Sequence, residues 1–411
     1  MYDIEALREE FPVLSEVIYL DSAATSQTPV RSVEAICEFF YSYAANYGRG
    51  THRLARETTA RCEESREILA SFLGAYPEQM IWTPNTTSAI NLLARGIPWR
   101  RGDEVICSDL EHHSNLLPWI SLKNRGVKVK SIRHAGGYID ADTVSDLITG
   151  KTRVVAVTQM TNVFGTVQPV REIAEVAHDA GAVIAVDGAQ SLGHLPVDIE
   201  DIDYLAIAGH KGLLGPQGTG ALYADDPETL DCSLWGGGMV SHVSLEKVEL
   251  RPAPARFEPG TPNIPGIIGL GPAIGLVEEL GVEQIHAHEL DLGTRLYDDL
   301  TVIEGVELYS PRGTAVVSFG VAGMHPDFVG RQLDARADIC VRSGMHCAEP
   351  LSSSCNKAGT VRASVACYNT HEEIRILADT LKALIADPGI EPGTAYEPEP
   401  DPWDRQRSRC P

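Results

Sequence analysis

The sequence predicts an α/β fold built on a largely parallel sheet, and three observations carry that prediction. Short apolar runs recur along the first half of the chain, each stopped abruptly by a polar residue. From Met80 to Gly220 these runs alternate with helical stretches in the order strand, loop, helix, strand. The clearest pair, Val183–Val186 and Tyr204–Ala208, is apolar throughout, as strands covered on both faces must be. The first run stops at Asp187, with Gln190 close behind, and the second at Gly209-His210-Lys211. As parallel neighbours, the two strands would open their carboxyl ends on one side, where open α/β sheets bind ligands. A carboxylate, an amide, an imidazole and an amine would then surround one cleft.

The elements follow in order. Ile4, Leu7 and Phe11 recur at helical spacing and predict an amphipathic helix within residues 1–15. A brief strand at Tyr19 precedes a small-residue turn and a helix from about Pro29 to Tyr43. The segment Asn46–Arg53 is glycine-rich and basic and reads as a loop, followed by a helix over Leu54–Leu73. Met80–Trp82 is a short strand, and Asn85-Thr86-Thr87 opens the next helix. There the threonine pair suits a helix cap or a phosphate site made of amides, hydroxyls and the helix dipole. Strands at Val105–Ser108 and Val154–Val157 end in EHHSN (Glu111–Asn115) and TNVFG (Thr161–Gly165). A helix over Val170–Ala180 leads back to Val183.

After a strand at Ala221–Ala224 comes a looser stretch containing RFEPGTPN (Arg256–Asn263). The remainder reads as a second, α+β unit. It comprises helices near Gly266–Leu280, Ile285–Leu300, Pro326–Arg336 and His371–Ile385, and strands near Val306–Leu308, Ala315–Val321, Ile339–Val341 and Val361–Ala366. Residues 342–347 (RSGMHC) read as a polar loop. The expected division is a large domain over 16–265, a small domain from 1–15 and 266–386, and a disordered proline-rich tail at 387–411.

Composition narrows the function classes. A net charge of −23 argues against nucleic acid or an anionic membrane as partner. No stretch approaches the roughly 20 apolar residues of a membrane span, and the charged amino terminus does not read as a signal peptide. These features predict a cytoplasmic protein. The nine cysteines form no CxxC pair, so neither a disulfide framework nor a metal site is expected. Most of them read as small buried apolar residues. Two adjacent histidines in EHHSN point different ways on a helix or a strand and do not make the HExxH metal motif.

Glycines around Lys211 invite a nucleotide reading, but here they follow the lysine and lead into a strand, which is not the P-loop order. Pyridoxal 5'-phosphate suits the residues better. It needs a lysine, an acid facing its ring nitrogen and an anion site for its phosphate. Lys211, Asp187 and Thr86-Thr87 supply the three.

The motifs EHHSN, TNVFG, VDGAQ, GHKGLLGPQG, RFEPGTPN, RSGMHCAEPL and VRASVACYNT, in this order from Tyr19 to about Ile385, resemble the class V aminotransferase family. Within it they are most similar to SufS-type (group II) cysteine desulfurases. The resemblance implies a PLP-dependent transferase fold of type I, with a mostly parallel seven-stranded sheet and a smaller α+β C-terminal domain, working as a homodimer. It implies conversion of L-cysteine to L-alanine with a persulfide on Cys347. The sulfur would pass to an acceptor protein of the SufE/SufU or scaffold type for iron–sulfur cluster assembly. Selenocysteine lyase, and a class V aminotransferase or epimerase that does not use Cys347, share most of these motifs.

Carried over residue by residue, the resemblance makes Lys211 the Schiff-base lysine and Asp187 the partner of the pyridine nitrogen. Gln190 and Asn162 would flank the ring hydroxyl and the substrate, and His112 would stack on the ring and move protons. Thr86, Thr87 and His210 would bind the phosphate, joined by Thr261 from the other subunit. Arg362 would clamp the substrate carboxylate, Arg342 would support the cysteine loop, and His52 would line the entrance. Cys347 would be the nucleophile; its loop has a cation at hand, the setting in which reactive cysteines occur. Two positions depart from the pattern. Ala208 stands where the family usually has serine, which removes one phosphate hydroxyl, and Met345 stands where these desulfurases commonly carry histidine.

Overall fold

The computed structural model describes residues 2–389. Its larger sheet has seven strands, in the order Met80–Thr83, Gly220–Ala224, Tyr204–Ala208, Val183–Asp187, Thr152–Thr158, Glu104–Ser108 and Lys128–Ile132. All run parallel except Gly220–Ala224, which is antiparallel to both neighbours. The two central runs are parallel neighbours, with Asp187 opposite Ala206. Their residues are almost wholly buried because helices cover both faces of the sheet.

A second, antiparallel sheet of four strands follows the order Val306–Leu308, Val316–Val321, Thr360–Ser364 and Arg342–Gly344. Helices Val282–Thr301, Pro326–Ala337 and His371–Ala386 bury its apolar face in a separate core. A two-residue strand, Ile18–Tyr19, pairs with Ile339–Cys340 and ties the amino-terminal segment to this unit.

Several elements differ from expectation. The first helix is only Ile4–Arg8; the chain then tightens into a 3₁₀ turn at Pro12–Ser15, where proline cannot continue the amide ladder. The helix Ile264–Leu280, expected from about Gly266 to lead into the small domain, packs on Val30–Glu38 and Arg53–Leu73, its first half in the core of the large sheet and Ala273–Leu280 against Leu7, Phe11 and Tyr368. Residues 342–344, read as loop, form the edge strand beside Thr360–Arg362. Lys128–Ile132, helix Ala141–Leu147 and the exposed hairpin Val240–Val243/Val248–Leu250 were not anticipated. The expected disordered tail lies outside the described residues from 390 on. Among the described residues no single helix is long and apolar enough to cross a membrane.

The glycines flanking Lys211 serve a backbone crossing. A Cβ on Gly212 would lie 2.2 Å from the Leu192 carbonyl oxygen, and one on Gly193 would lie 2.2 Å from that of Gly212. Only glycine at both positions lets the Lys211 turn press against the segment following Asp187.

Candidate active site

A cavity of about 290 Å³ opens at the carboxyl ends of the parallel strands. Thr86, Thr87, His112, Asn162, Asp187, Gln190, His210 and Lys211 line it from the large sheet. Arg342, His346 and Arg362 close it from the small one. Ten of the residues singled out from the sequence therefore meet in one place.

Lys211 keeps some contact with the cavity, but protein encloses its amine. This desolvation lowers its pKa to about 8, with Asp187 opposing and the Arg362 and Arg342 cations assisting. Asp187 is buried and its carboxyl is pushed up by desolvation, against the Ala189 amide 2.9 Å from Oδ1 and the charge of Lys211. Gln190 is held by donating from Nε2 to the Ala23 carbonyl at 2.8 Å.

The helix Thr86–Gly96 is capped by Asn85, whose side chain accepts from the Ser88 amide. The threonines are therefore not the cap. Thr86 Oγ1 is buried with no partner, and Thr87 Oγ1 meets Ser114 Oγ at 2.7 Å. His112 caps the 3₁₀ turn His113–Asn115: its Nδ1 accepts from the Ser114 amide at 3.1 Å, which assigns the proton to Nε2. Burial, then Lys211 and His113, lowers its pKa to about 3, so the ring is neutral.

Arg362 is buried, donating from Nη1 to the Asn162 carbonyl at 2.9 Å and from Nη2 to Asp21 Oδ1 at 3.0 Å, while Nε has no partner. Desolvation lowers its pKa to about 10, with Asp21 opposing. Asn162 donates from Nδ2 to the His346 carbonyl at 2.8 Å and leaves Oδ1 unpartnered. Cys347 is exposed, and Arg342 Nη2 lies 3.8 Å from its Sγ.

Three of the singled-out residues do not line the cavity within this chain: Cys347, which stands beside Arg342 at its edge, Thr261 and His52. Thr261 lines a separate, more apolar cavity of about 400 Å³ with Trp82, Leu234 and Phe257. His52 caps the helix Arg53–Leu73 by accepting from the Ala55 amide, a structural duty that explains a polar residue before a helix. The cysteine loop is not loose, as its sequence suggests, because hydrogen bonds pin it to the large sheet. Cysteine burial was also overestimated: Cys62, Cys107 and Cys367 are buried, whereas Cys37 and Cys347 are exposed. Cys37 lies on the helix Val30–Glu38, whose core-facing side is elsewhere.

Sequence reasoning missed Asp21, Ser114, Glu111 and His346. Glu111 and Ser114 sit inside EHHSN, so the motif itself was the available signal. No cluster of three or more metal-ligating side chains occurs among the described residues.

The aminotransferase class-V family profile matches residues 18–377. The chain belongs to that family. A class V relative from Methanothermobacter thermautotrophicus, described as a probable cysteine desulfurase, is 42% identical over 92% of this chain and 98% of its own. Among solved structures, the apo form of a cysteine desulfurase from Thermococcus onnurineus superposes with a TM-score of 0.90 at 40% identity, covering 95% of this chain and 99% of that one. A cysteine desulfurase from Escherichia coli gives 0.88 at 35%, covering 94% and 99%. The class V fold thus accounts for both sheets and for the cavity between them.

Proposed function

We propose that this chain is a PLP-dependent cysteine desulfurase of the SufS type, converting L-cysteine to L-alanine and holding the sulfur as a persulfide on Cys347. The observation that carries the reading is an exposed thiol beside Arg342, which itself lines the cavity holding Lys211, Asp187 and Arg362.

The residues fit pyridoxal phosphate. Five unsatisfied buried polar atoms, Thr86 Oγ1, His210 Nδ1, Asn162 Oδ1, His346 Nδ1 and Arg362 Nε, belong to residues lining that one cavity. Buried polar groups are ordinarily paired, so such a cluster needs a ligand that supplies partners. Thr86, Thr87 and His210 would take the phosphate, Asp187 the ring nitrogen, Lys211 the aldehyde carbon, and Gln190 and Asn162 the ring hydroxyl. When bound, the cofactor supplies an electron sink for charge developing at the substrate α-carbon.

The protein does the rest. Arg362, already tethered by Asp21 and the Asn162 carbonyl, presents its free Nε edge to the substrate carboxylate. Lys211, its pKa lowered to about 8 by burial, takes the α-proton and returns it. His112 presents Nε2–H at the cavity wall as a neutral donor. The Cys347 thiolate attacks the substrate sulfur: a new S–S bond forms, the substrate C–S bond breaks, and its electron pair leaves with carbon, which is protonated to give alanine.

The exposure of Cys347 supports hand-over to a sulfur-acceptor protein of the SufE/SufU or scaffold type, and with it a place in iron–sulfur cluster assembly. A homodimer is supported by the Thr261 cavity, whose lining does not include this chain's own Lys211, and by Leu234, a large exposed apolar side chain that lines it.

Two variants test the reading. Lys211→Ala should abolish the visible absorbance of bound cofactor, and Cys347→Ala should keep that absorbance but lose alanine formation from L-cysteine. Wild-type alanine release by Cys347→Ala would rule out the persulfide route.

A further inference from the structure

His346 and Cys347 both have φ of +53°, a left-handed conformation that side-chain-bearing residues avoid. Two in succession cost on the order of 1–2 kcal/mol each and persist only where neighbours hold them. The His346 half is fixed by contacts already described or internal to the small unit: Asn162 Nδ2 on its carbonyl, and its own Nε2 against Thr360 Oγ1 at 2.9 Å. The Cys347 backbone is held from the large unit by the turn His113–Asn115. The His113 amide donates to the Cys347 carbonyl at 2.8 Å, and His113 Nε2 meets Glu349 Oε2 at 2.5 Å, two residues past the cysteine. His113 thus grips the loop at two points, the cysteine's own carbonyl and the side chain two residues beyond it. Neither His113 nor Glu349 lines the Lys211 cavity.

We infer that His113 and Glu349 form a latch that holds the Cys347 backbone in its left-handed shape and so sets where the sulfur stands relative to Arg342 and the cavity. This rests on the reading of Cys347 as the sulfur acceptor. His113 is a positioning residue: it touches no substrate and acts through Glu349 and the loop. The second histidine of EHHSN, which no metal or cofactor role explains, acquires a function distinct from that of His112. The latch is also reachable from solvent, since the two side chains are 30% and 55% exposed. A docking acceptor protein can therefore compete for Glu349 and release the loop with its sulfur outward.

The test uses the cofactor-loaded enzyme and the variants His113→Ala, Glu349→Ala, Glu349→Gln and the double alanine. Amide hydrogen exchange over residues 345–349 reads loop position without turnover, and kcat and KM for L-cysteine are measured alongside. A partly exposed side-chain hydrogen bond contributes about 1 kcal/mol, so each alanine variant should exchange roughly three- to fivefold faster in that segment. Turnover should fall by a similar factor, with KM within about twofold of wild type, the double variant no worse than either single, and Glu349→Gln largely restored. Unchanged exchange, or losses in the double variant that multiply those of the singles, would overturn the latch. Persistence of full activity in Cys347→Ala would sink the desulfurase mechanism instead, and the exchange measurement would still decide the latch.

Discussion

Glu111 offers the sharpest quantitative test of the site. Its carboxyl is fully buried where the sheet meets the EHHSN turn. There it accepts from Ser108 Oγ at 2.5 Å, Asn115 Nδ2 at 2.6 Å and the Thr158 amide at 3.1 Å. Thr158 pairs with Asp187 in register, so one side chain ties the turn carrying His112 to the strand beside Asp187. Burial pushes the Glu111 pKa to about 8, with the neighbouring charge of Asp187 adding to it and the three hydrogen bonds opposing. The folded pKa lies above the unfolded one, so folding favours the protonated form. Stability from this group is complete below about pH 4.5 and is lost as pH rises toward 8. A shift of that size corresponds to about 5 kcal/mol across the window.

Glu111→Gln cannot ionise and should escape that loss. Its amide would, however, set a donor against Asn115 Nδ2, because Asn115 Oδ1 is occupied by Trp119 Nε1 at 2.9 Å. One mismatched buried bond costs about 1–3 kcal/mol. The glutamine variant should therefore be less stable than wild type at pH 5 and more stable at pH 8, the crossover being read from urea midpoints at matched protein and cofactor concentrations. Glu111→Ala, which leaves the Asn115 and Thr158 donors unsatisfied and opens a cavity, should lose about 3–5 kcal/mol at pH 5. A glutamine–wild-type difference that stays constant from pH 5 to 8 would refute a protonated Glu111.

Two further outcomes follow from the cavity. Arg362→Lys keeps the charge but not the fork that reaches Asp21 and the Asn162 carbonyl together. KM for L-cysteine should rise about 10- to 100-fold, the value of one or more charge-assisted hydrogen bonds, with cofactor absorbance retained. Thr86→Val removes a hydroxyl that has no protein partner. The cofactor-free protein should melt at or above the wild-type temperature, whereas the dissociation constant for pyridoxal phosphate should rise about 5- to 30-fold.

The large sheet was legible because each of its inner strands carries its own signal, an apolar run closed by a polar residue. Lys128–Ile132 escaped notice for the converse reason. It is an edge strand, and its lysines at 128 and 130 are what edges use to stay soluble, so it reads as a charged loop. Arg342–Gly344 was hidden similarly, an edge strand of polar and small residues that exists only because Thr360–Arg362 pairs with it. Lys211, Asp187 and Thr86 could be found because their chemistry is distinctive at the ends of elements. Asp21 could not, since its importance lies in a contact with Arg362, 341 residues away. Thr261 and His52 lie outside this chain's cavity, and a second copy is where the family resemblance places Thr261.

Ala208 offers the cavity no hydroxyl, whereas Ser114 does. Ala208 lines the cavity directly before the Gly-His-Lys turn, so a serine there would have offered its oxygen to the phosphate region. Ser114 offers one from the opposite wall. Its Oγ lies 2.7 Å from Thr87 Oγ1 and 3.0 Å from His112 Nδ1, and it lines the same cavity. A hydroxyl carries a single proton: donated to His112 Nδ1, it leaves the oxygen to accept from Thr87; donated to Thr87, it leaves His112 to the Ser114 amide. Either arrangement preserves the Nε2–H tautomer of His112 and keeps a polar group at the helix amino terminus. One hydroxyl of the cavity wall is thus supplied by the EHHSN turn. That turn already positions His112, carries Glu111 and grips the cysteine loop through His113. Substitutions within it should therefore disturb cofactor holding and sulfur transfer together.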